Sequence, residues 1–438
     1  MKARHIIQEI YSKIIWYNIT VVYKKRLIEP QISKLFEIFP IVSITGPRQS
    51  GKSTLIKHYT SKQKQKWQYL SLDDRETLLR IKDDPTLFVK SIKSNIAIDE
   101  AQKAPELFHA LKLVVDQKIP YKIILSGSAN FLLLKSISES LAGRVGLLEL
   151  EPFSMAEAYC LKPNKLVSKI IKTCSINELH AKLVRIQSKQ LSDQQLLEFI
   201  LYGGLPKVHE LKPHQKWVWF SQYISTYIER DLRDLSQIAN LDAFQKVYKL
   251  FAFQTAQMLN MSNIASDIGI DSKTVAHYLS ILESSYQCLK LPAYFSKHRK
   301  QLIKSPKVFY MDTGLVNYHQ KNTDIDSMLN RGDWGHILET FVYSELYKEI
   351  KDMHLPASLY FWRTNNGAEV DFIIEYGSKL FPIEVKSAAQ INSTDLRGLE
   401  SFMQAESEKV DFGIVICRTD KVQFLKKNIL AVPLNLLY

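Results

Sequence analysis

The sequence predicts a multidomain α/β protein with a parallel sheet in its N-terminal part and a second α/β domain at its C-terminal end. Length is the first observation: the chain has 438 residues, about three times the roughly 150 residues of a typical domain. From residue 41 to residue 150, short apolar runs alternate with helical periods, a pattern typical of a parallel sheet covered by helices. After a helical middle, strand and helix patterns mix again beyond residue 299.

The predicted strands of the N-terminal part are short apolar runs separated by helical periods, at 41–45, 68–72, 95–98, 122–126 and 147–150. The C-terminal part is predicted to contain a helix at 335–350 and strands at 308–311, 359–363, 369–375, 380–387 and 411–417. These patterns divide the chain into a basic helical lead-in (1–34), a core with the parallel sheet (35–152), a helical lid or linker (153–243), a helical block (244–298) and a C-terminal α/β domain (299–438).

The composition narrows the classes of partner. Lysine and arginine total 58 against 45 aspartate and glutamate residues, a net charge of +13. This excess of positive charge favours nucleic acid or an acidic membrane as a partner. The alternative is that the charge serves only solubility. The longest N-terminal apolar stretch, 14–23, is interrupted by Asn18 and is shorter than the roughly 20 residues that span a bilayer. Four widely separated cysteines indicate reduced thiols. We expect a cytoplasmic protein without a membrane partner.

A phosphate-binding loop is predicted directly after the first strand. The pattern G-x-x-x-x-G-K-S is formed by Gly46, Pro47, Arg48, Gln49, Ser50, Gly51, Lys52 and Ser53, and Thr54 continues into a helical period. In such a loop backbone N–H groups surround the phosphates, Lys52 reaches the β and γ oxygens, and Ser53 binds Mg²⁺. The alternative is a chance glycine-rich turn, which the flanking strand and helix disfavour. The loop therefore predicts binding of ATP with Mg²⁺.

Two carboxylates follow the strand at 95–98. Asp99 is predicted to hold Mg²⁺ through water, and Glu100 to polarise the water that attacks the γ-phosphate. The next strand ends in a polar turn, where Ser128 and Asn130 are candidates for hydrogen bonds to the γ-phosphate or the water. A polar turn without a catalytic role is the alternative.

Arg144 is a candidate for stabilising charge on the transferred phosphate. It would act either in cis or from a neighbouring subunit of a homo-oligomer. A surface arginine with no such role is an equal alternative, and the sequence does not choose between them.

In combination, these motifs resemble those of the bacterial and archaeal AAA-type ATPases that carry a C-terminal domain of uncharacterised function. The segments that carry the resemblance are 45–54, 98–102, 126–130, 140–145, 151–154, 203–206, 312–315 and 367–386. The resemblance covers nearly the whole chain after about residue 24. It implies an ATPase core and a cytosolic setting.

Two short helical periods around Gly269 predict a helix-turn-helix, of the winged kind. The residues that would face a DNA groove are Ser272, Lys273, Thr274 and His277. The basic stretch 297–300, followed by Lys304 and Lys307, would add contacts to phosphates. DNA is therefore an expected partner, with packing between domains as the alternative role for these helices.

The C-terminal carboxylates are predicted to lie on a hairpin. A two-residue loop at 377–378 would place Asp371 opposite Glu384, with Lys386 on the same face. This stretch resembles the PD-(D/E)xK nuclease fold, in which Glu339 would be the additional acidic residue. The resemblance implies a second divalent ion, Mg²⁺ or Mn²⁺, held by Asp371, Glu384 and Glu339, with Lys386 as a catalytic group. The alternative is that the carboxylates of Asp371 and Glu384 only form ion pairs with Lys386 and Arg363.

Two functions follow from these motifs. The first is an ATP-dependent DNA-acting enzyme, in which nucleotide turnover controls DNA binding or metal-dependent DNA cleavage. The second is a nucleotide-controlled binding and assembly switch, in which the nuclease-like domain is catalytically inactive.

Overall fold

The structure is a computed structural model, and it describes residues 23–117, 119–127, 140–186, 191–227, 238, 240–295 and 305–438. The described α-helices are α1 (Glu29–Leu35), α2 (Lys52–Ser61), α3 (Arg75–Asp83), α4 (Pro85–Lys90), α5 (Glu106–Val115), α6 (Met155–Ala158), α7 (Leu166–Ile171), α8 (Ile176–Val184), α9 (Asp193–Tyr202), α10 (Pro213–Thr226), α11 (Leu241–Phe253), α12 (Met261–Ile268), α13 (Ser272–Ser284), α14 (Thr313–Gln320), α15 (Ile325–Leu329), α16 (Trp334–Asp352) and α17 (Arg397–Ala405).

The described β-strands are β1 (Ile41–Thr45), β2 (Trp67–Ser71), β3 (Asn95–Asp99), β4 (Ile123–Ser126), β5 (Val145–Glu149), β6 (Gln257–Met258), β7 (Cys288–Leu291), β8 (Lys307–Tyr310), β9 (Ala357–Arg363), β10 (Glu369–Tyr376), β11 (Lys379–Lys386), β12 (Gly413–Cys417), β13 (Gln423–Lys426) and β14 (Ile429–Pro433).

The N-terminal sheet is parallel and has the order β2-β3-β4-β1-β5. This confirms the predicted parallel sheet, and each strand lies within two residues of its predicted bounds. The order fits the core of a P-loop nucleoside triphosphatase. Because β1 lies between β4 and β5 and β3 pairs with β4, the carboxyl ends of β1, β3 and β4 meet at one edge of the sheet.

The central strands are buried on both faces, which explains why they are apolar runs rather than alternating patterns. One face, with Ile41 and Ile123, packs in a cluster that includes Phe108 and Leu111 of α5. The other face, with Ile124 and its neighbours, packs in a cluster that includes side chains of α1 and α2. The two helical layers hold the sheet edge, and with it the phosphate loop, in a fixed position.

The middle of the chain ends in three helices, α11 to α13, beside an antiparallel sheet of order β6-β8-β7. The sheet includes β8, which pairs with both β6 and β7. The expected boundary at residue 298 would have assigned β8 to the C-terminal domain. Because β8 forms its backbone hydrogen bonds with β6 and β7, the sheet extends past that boundary.

The C-terminal domain has a mixed sheet of order β13-β14-β12-β11-β10-β9. The hairpin of β10 and β11 has the predicted register, from Tyr376 opposite Lys379 to Phe372 opposite Ile383. Strands β13 and β14 were not predicted. The run that forms β14 is short and apolar, and that pattern alone does not distinguish a strand from a buried helical segment.

Three of the segments that carried the family resemblance meet in space. The backbone N–H of Gly204 donates to Asp312 at 2.7 Å, and the carbonyl of Gly204 accepts from the N–H of Phe153 at 2.7 Å. A Cβ at residue 204 would lie 2.1 Å from the carbonyl oxygen of Phe153. This junction joins the segment that leaves the parallel sheet to α9 and to α14.

Candidate functional site

The predicted phosphate loop connects β1 to α2 in a conformation that glycine makes accessible. Gly46 has φ 139°, and a Cβ there would lie 2.2 Å from the carbonyl oxygen of Leu150. Gly51 has φ 96° and is the residue before α2. Gln49 adopts φ 60°, a conformation that is uncommon for a residue with a side chain. The loop therefore leads to the N-terminus of α2, where the N–H groups of Lys52, Ser53 and Thr54 have no partner within the helix.

Lys52 is buried within the loop. Its ammonium group donates to the carbonyl oxygens of Gly46 at 3.0 Å and Pro47 at 2.7 Å. Burial lowers the pKa of Lys52 to about 8, against the opposing effect of Glu100 and Asp99. The lysine is therefore charged at neutral pH and lies beside both predicted carboxylates.

Asp99 ends β3 and is held by three hydroxyl groups. The hydroxyl of Tyr69 donates to Oδ2 at 2.6 Å, and the hydroxyl of Ser126 donates to Oδ1. Ser53 is hydrogen-bonded to the same carboxylate. Burial opposes ionisation of Asp99, but these hydrogen bonds outweigh it and lower the pKa of Asp99. The ionised carboxylate and the Ser53 hydroxyl are thus adjacent, as two oxygen ligands of Mg²⁺ need to be.

Tyr69 and Ser126 were not predicted as site residues. Ser126 ends β4 and Tyr69 lies on β2, so the two residues flank Asp99 from the strands on either side of β3. Their role depends on the strand order, which no local pattern contains.

Glu100 follows Asp99 with φ 58° and ψ 37°. A glutamate in this left-handed region costs conformational energy, which is tolerated where the surroundings fix the backbone. The amide of Gln102 donates to Glu100 Oε2 at 2.5 Å. The Glu100 carboxylate is therefore restrained by Gln102 in the turn after β3.

Among the described residues, Arg144 is the other catalytic candidate of this core, and it does not lie at the loop. Arg144 precedes β5, at the strand end where Val145 pairs with Ile41. Ile41 is the first residue of β1, whereas the phosphate loop follows Thr45, the last residue of that strand. The length of β1, roughly 13 Å, therefore separates the backbone of Arg144 from the loop. It pairs with Asp116 through two hydrogen bonds of 2.6 and 3.0 Å. In this structure Arg144 is engaged by Asp116, and its role at a phosphate, in cis or across a subunit boundary, stays a prediction. Ser128 and Asn130 lie outside the described residues.

Side chains from outside the parallel sheet contact the phosphate loop on three sides. Arg26 donates to the carbonyl oxygen of Ser50 at 2.7 Å. Tyr223 donates to the carbonyl oxygen of Arg48 at 3.4 Å, and Tyr286 donates to the hydroxyl of Thr45 at 2.6 Å. No pattern in the sequence indicated these contacts, because each joins residues that are far apart along the chain.

The helix-turn-helix was predicted correctly as a local structure. Gly269 ends α12 with φ 80°, and Asp271 caps α13 by accepting from the N–H of Thr274. On α13, Ser272, Lys273 and His277 are exposed. Thr274 instead donates its hydroxyl to Asp271 at 2.6 Å. Residues 297–300 and Lys304 lie outside the described residues.

The C-terminal carboxylates are close together, but a lysine lies among them. Lys307 of β8 lies 2.6 Å from Glu369, 3.4 Å from Glu339 and 3.7 Å from Asp371. Burial opposes the charge of Lys307, but the three carboxylates outweigh it and raise its pKa. The predicted pair of Glu384 and Lys386 is present on β11, with 2.8 Å between the charged atoms.

This arrangement differs from the metal site expected at Asp371, Glu384 and Glu339. Among the described residues, no three histidine, cysteine, aspartate or glutamate side chains form a group that could hold a metal ion. The physical reason at the C-terminal cluster is that the Lys307 ammonium lies against Glu339 and Asp371. In addition, Asp371 Oδ2 accepts from the backbone N–H of Val385 at 2.8 Å.

Three family models match consecutive parts of the chain. Residues 39–159 match the AAA domain. Residues 193–326 match a domain of unknown function, DUF8612, and residues 334–437 match another, DUF4143. The chain is 28% identical over 349 residues to an uncharacterized protein of Mycobacterium tuberculosis, covering 79% of this chain and 70% of that protein. It is 23% identical over 384 residues to an uncharacterized protein of Methanocaldococcus jannaschii, covering 83% and 79%.

Solved structures resemble parts of the chain at TM-scores below 0.5, which support no inference about function. One is the Walker-type ATPase of Pyrococcus abyssi, with TM-score 0.43, 14% identity and coverage of 69% of this chain and 97% of that chain. Another is the Aeropyrum pernix ORC1 protein in complex with DNA, with TM-score 0.28, 12% identity and coverage of 67% and 91%. Within the described residues no helix is long and apolar enough to cross a membrane. The AAA match and the phosphate loop on its parallel sheet together support an AAA-type P-loop ATPase core, followed by two domains of unassigned function.

Proposed function

We propose that the protein is a Mg²⁺-dependent ATPase in which nucleotide turnover is coupled to DNA binding. One observation carries the ATPase proposal. At one edge of a parallel sheet, the buried ammonium of Lys52 interacts electrostatically with Glu100 and Asp99, and Asp99 is hydrogen-bonded to the Ser53 hydroxyl. These are the kinds of group that phosphoryl transfer to water uses in P-loop enzymes, and their proximity supports the proposal.

The residues of the loop would act as follows. Lys52 exchanges its bonds to the loop carbonyls for bonds to the β and γ phosphate oxygens of ATP, and the N–H groups at the start of α2 bind the phosphates. Ser53 and Asp99 would hold Mg²⁺, which neutralises phosphate charge when it is bound. Glu100, restrained by Gln102, orients the attacking water and accepts its proton.

The DNA part of the proposal rests on α13. Its exposed Ser272, Lys273 and His277 lie on the second helix of the helix-turn-helix, which is the element that enters the major groove in such motifs. Tyr286, two residues beyond the end of α13, bonds Thr45 at the start of the phosphate loop. A shift of α13 on DNA would therefore reach the nucleotide site through a direct contact.

A titration of duplex DNA at several salt concentrations tests this part. We expect the affinity to fall steeply with salt, and Lys273→Glu to weaken binding and reduce the slope of log affinity against log salt by about one or more. Lys62→Glu, the same charge change at an exposed residue next to α2, is the matched control and should leave the slope unchanged. Binding without salt dependence, or an equal effect of both variants, would count against DNA binding by α13.

The C-terminal hairpin supports a second candidate, metal-dependent DNA cleavage by Asp371, Glu384 and Lys386. The hairpin register and the proximity of Glu339 favour it, whereas Lys307 favours the alternative in which this domain does not cut. Supercoiled plasmid with Mg²⁺ or Mn²⁺ and ATP separates the two. Nicking that Glu384→Ala abolishes would establish cleavage, and intact plasmid under both metals would establish the non-cutting alternative.

A further inference from the structure

Lys307 reaches the C-terminal carboxylates from a different sheet. Its backbone pairs with Met258 of β6 and Leu291 of β7, whereas the side chain extends to Glu339 on α16 and to Glu369 and Asp371 on β10. Only 2% of Lys307 is exposed. A lysine is seldom buried to this extent unless it is paired, so its position is determined by the carboxylates that it contacts.

Cations of the chain already offset most of the charge of the cluster. The carboxylates are Glu339, Glu369, Asp371 and Glu384, and the cations that pair with them are Lys307, Lys386 and Arg363. His336 also lies 3.7 Å from Glu339. A divalent ion added to this set would have to lie beside a buried ammonium group, and the repulsion between like charges is strong in a buried site.

The oxygens of the cluster nevertheless form a partial ligand set. Glu384 Oε2 is buried and has no hydrogen-bond partner among the described residues. The lysine interacts with Oδ1 of Asp371 and Oε2 of Glu339, two oxygens that a hard cation would otherwise bind. The position between these oxygens therefore suits a cation, and Lys307 occupies it.

We propose that Lys307 is the built-in cation of this carboxylate cluster and that its ammonium group excludes divalent metal ions from it. The middle sheet, through β8, thereby keeps this carboxylate cluster free of divalent ions, which corresponds to the non-cutting alternative for the C-terminal domain. This inference goes beyond the proposed ATPase function, and it does not depend on nucleotide binding.

Mn²⁺ binding to the full-length protein without nucleotide tests the proposal, with free Mn²⁺ measured by electron paramagnetic resonance. Among the described residues no group of three acidic, histidine or cysteine side chains at the phosphate loop could hold a metal, and the Asp371→Asn variant assigns any bound Mn²⁺ to the C-terminal cluster. We expect no Mn²⁺ bound by the wild type or by Lys307→Arg, which keeps the positive charge. Lys307→Met should bind about one Mn²⁺ per chain, since Glu339 and Asp371 lose the ammonium group that contacts them. Adding Asp371→Asn to Lys307→Met should remove that binding.

Two results would overturn the proposal. One is a wild-type protein that binds Mn²⁺ at a site lost in Asp371→Asn. The other is a Lys307→Met protein that shows the wild-type circular dichroism and melting transition but binds no Mn²⁺. If Lys307→Met does not fold, the comparison of wild type with Asp371→Asn still decides, because the proposal requires that neither protein binds Mn²⁺.

Discussion

Asp99 illustrates how single residues set the chemistry of the nucleotide site. A buried carboxylate tends to hold its proton, yet the hydroxyls of Ser126, Ser53 and Tyr69 stabilise its charge and lower its pKa. An ionised Asp99 is what a Mg²⁺ site needs, because a protonated carboxyl is a poor ligand for a hard cation. Two of the three supporting hydroxyls come from neighbouring strands.

Tyr69→Phe should weaken the Mg²⁺ dependence of ATP hydrolysis while leaving the fold intact. The variant removes a hydrogen bond to a charged group, worth about 1.5–3 kcal/mol, so the Mg²⁺ concentration for half-maximal rate should rise by roughly tenfold to a hundredfold. Tyr376→Phe, a half-buried tyrosine of the C-terminal sheet, is the control. An unchanged Mg²⁺ dependence in Tyr69→Phe would show that this hydroxyl has no part in positioning Asp99.

Lys52, Ser53, Asp99 and Glu100 could be proposed from the sequence because each belongs to a local pattern with a known chemical role, and their catalytic roles stay predictions. Tyr69 could not be predicted in this way. It is part of an ordinary apolar strand, and it meets Asp99 only because β2 pairs with β3. Residues that act through neighbouring strands become predictable only when the strand order is known.

Glu151 should make the stability of the protein depend on pH. Burial raises the pKa of Glu151 to about 8 from an ordinary value of 4.5, and both of its carboxyl oxygens lack a hydrogen-bond partner among the described residues. As pH rises from about 4.5 to about 8, the unfolded chain releases this proton and the folded protein retains it. The free energy of unfolding should therefore fall across that range, by on the order of a few kcal/mol.

Glu151→Gln checks this expectation, since glutamine cannot ionise. The variant should resemble the wild type below pH 4.5 and be more stable above pH 8 in denaturant unfolding. Glu408→Gln, at an exposed residue, should change stability little at either pH. A stability difference between Glu151→Gln and wild type that is the same at both pH values would mean that Glu151 is ionised in the folded protein.

At the scale of elements, the strands that carry the site were predicted well and the connections between domains were not. The central strands of the parallel sheet are buried on both faces, so each one is visible in the sequence as a short apolar run. By contrast, β8 was separated from β6 and β7 because pairing over long sequence distances has no local pattern. The junction of Phe153, Gly204 and Asp312 was visible only as separate short motifs.

Gly204→Ala should destabilise the protein strongly. The added Cβ would lie 2.1 Å from the carbonyl oxygen of Phe153, so backbone must move, at a cost of about 1–3 kcal/mol or more. Gly332→Ala, where a Cβ would meet nothing within 4 Å, is the matched control and should melt near the wild-type temperature. Equal melting temperatures for the two variants would contradict the close packing of this junction.

At the scale of the whole molecule, the phosphate loop is the place where several parts of the chain meet. Arg26 from the lead-in and Tyr223 from α10 bond loop residues, and Tyr286 from beyond α13 bonds Thr45, the last residue of β1 before the loop. A change in the loop on nucleotide binding would alter all three contacts. The structure therefore provides a physical route between nucleotide turnover and the helix-turn-helix, and the proposed coupling rests on it.

The most direct test of the central claim measures ATP binding by calorimetry and ATP hydrolysis in the same preparations of wild type, Lys52→Ala and Glu100→Gln. Lys52→Ala removes the cation that contacts the phosphates, so it should show no heat of Mg-ATP binding. Glu100→Gln keeps the loop but loses the base, so it should bind Mg-ATP with near wild-type affinity and hydrolyse it about 10²–10⁴-fold more slowly. Hydrolysis at the wild-type rate in either variant, or no heat of binding in the wild type, would contradict the claim that this loop and Glu100 form an ATPase site.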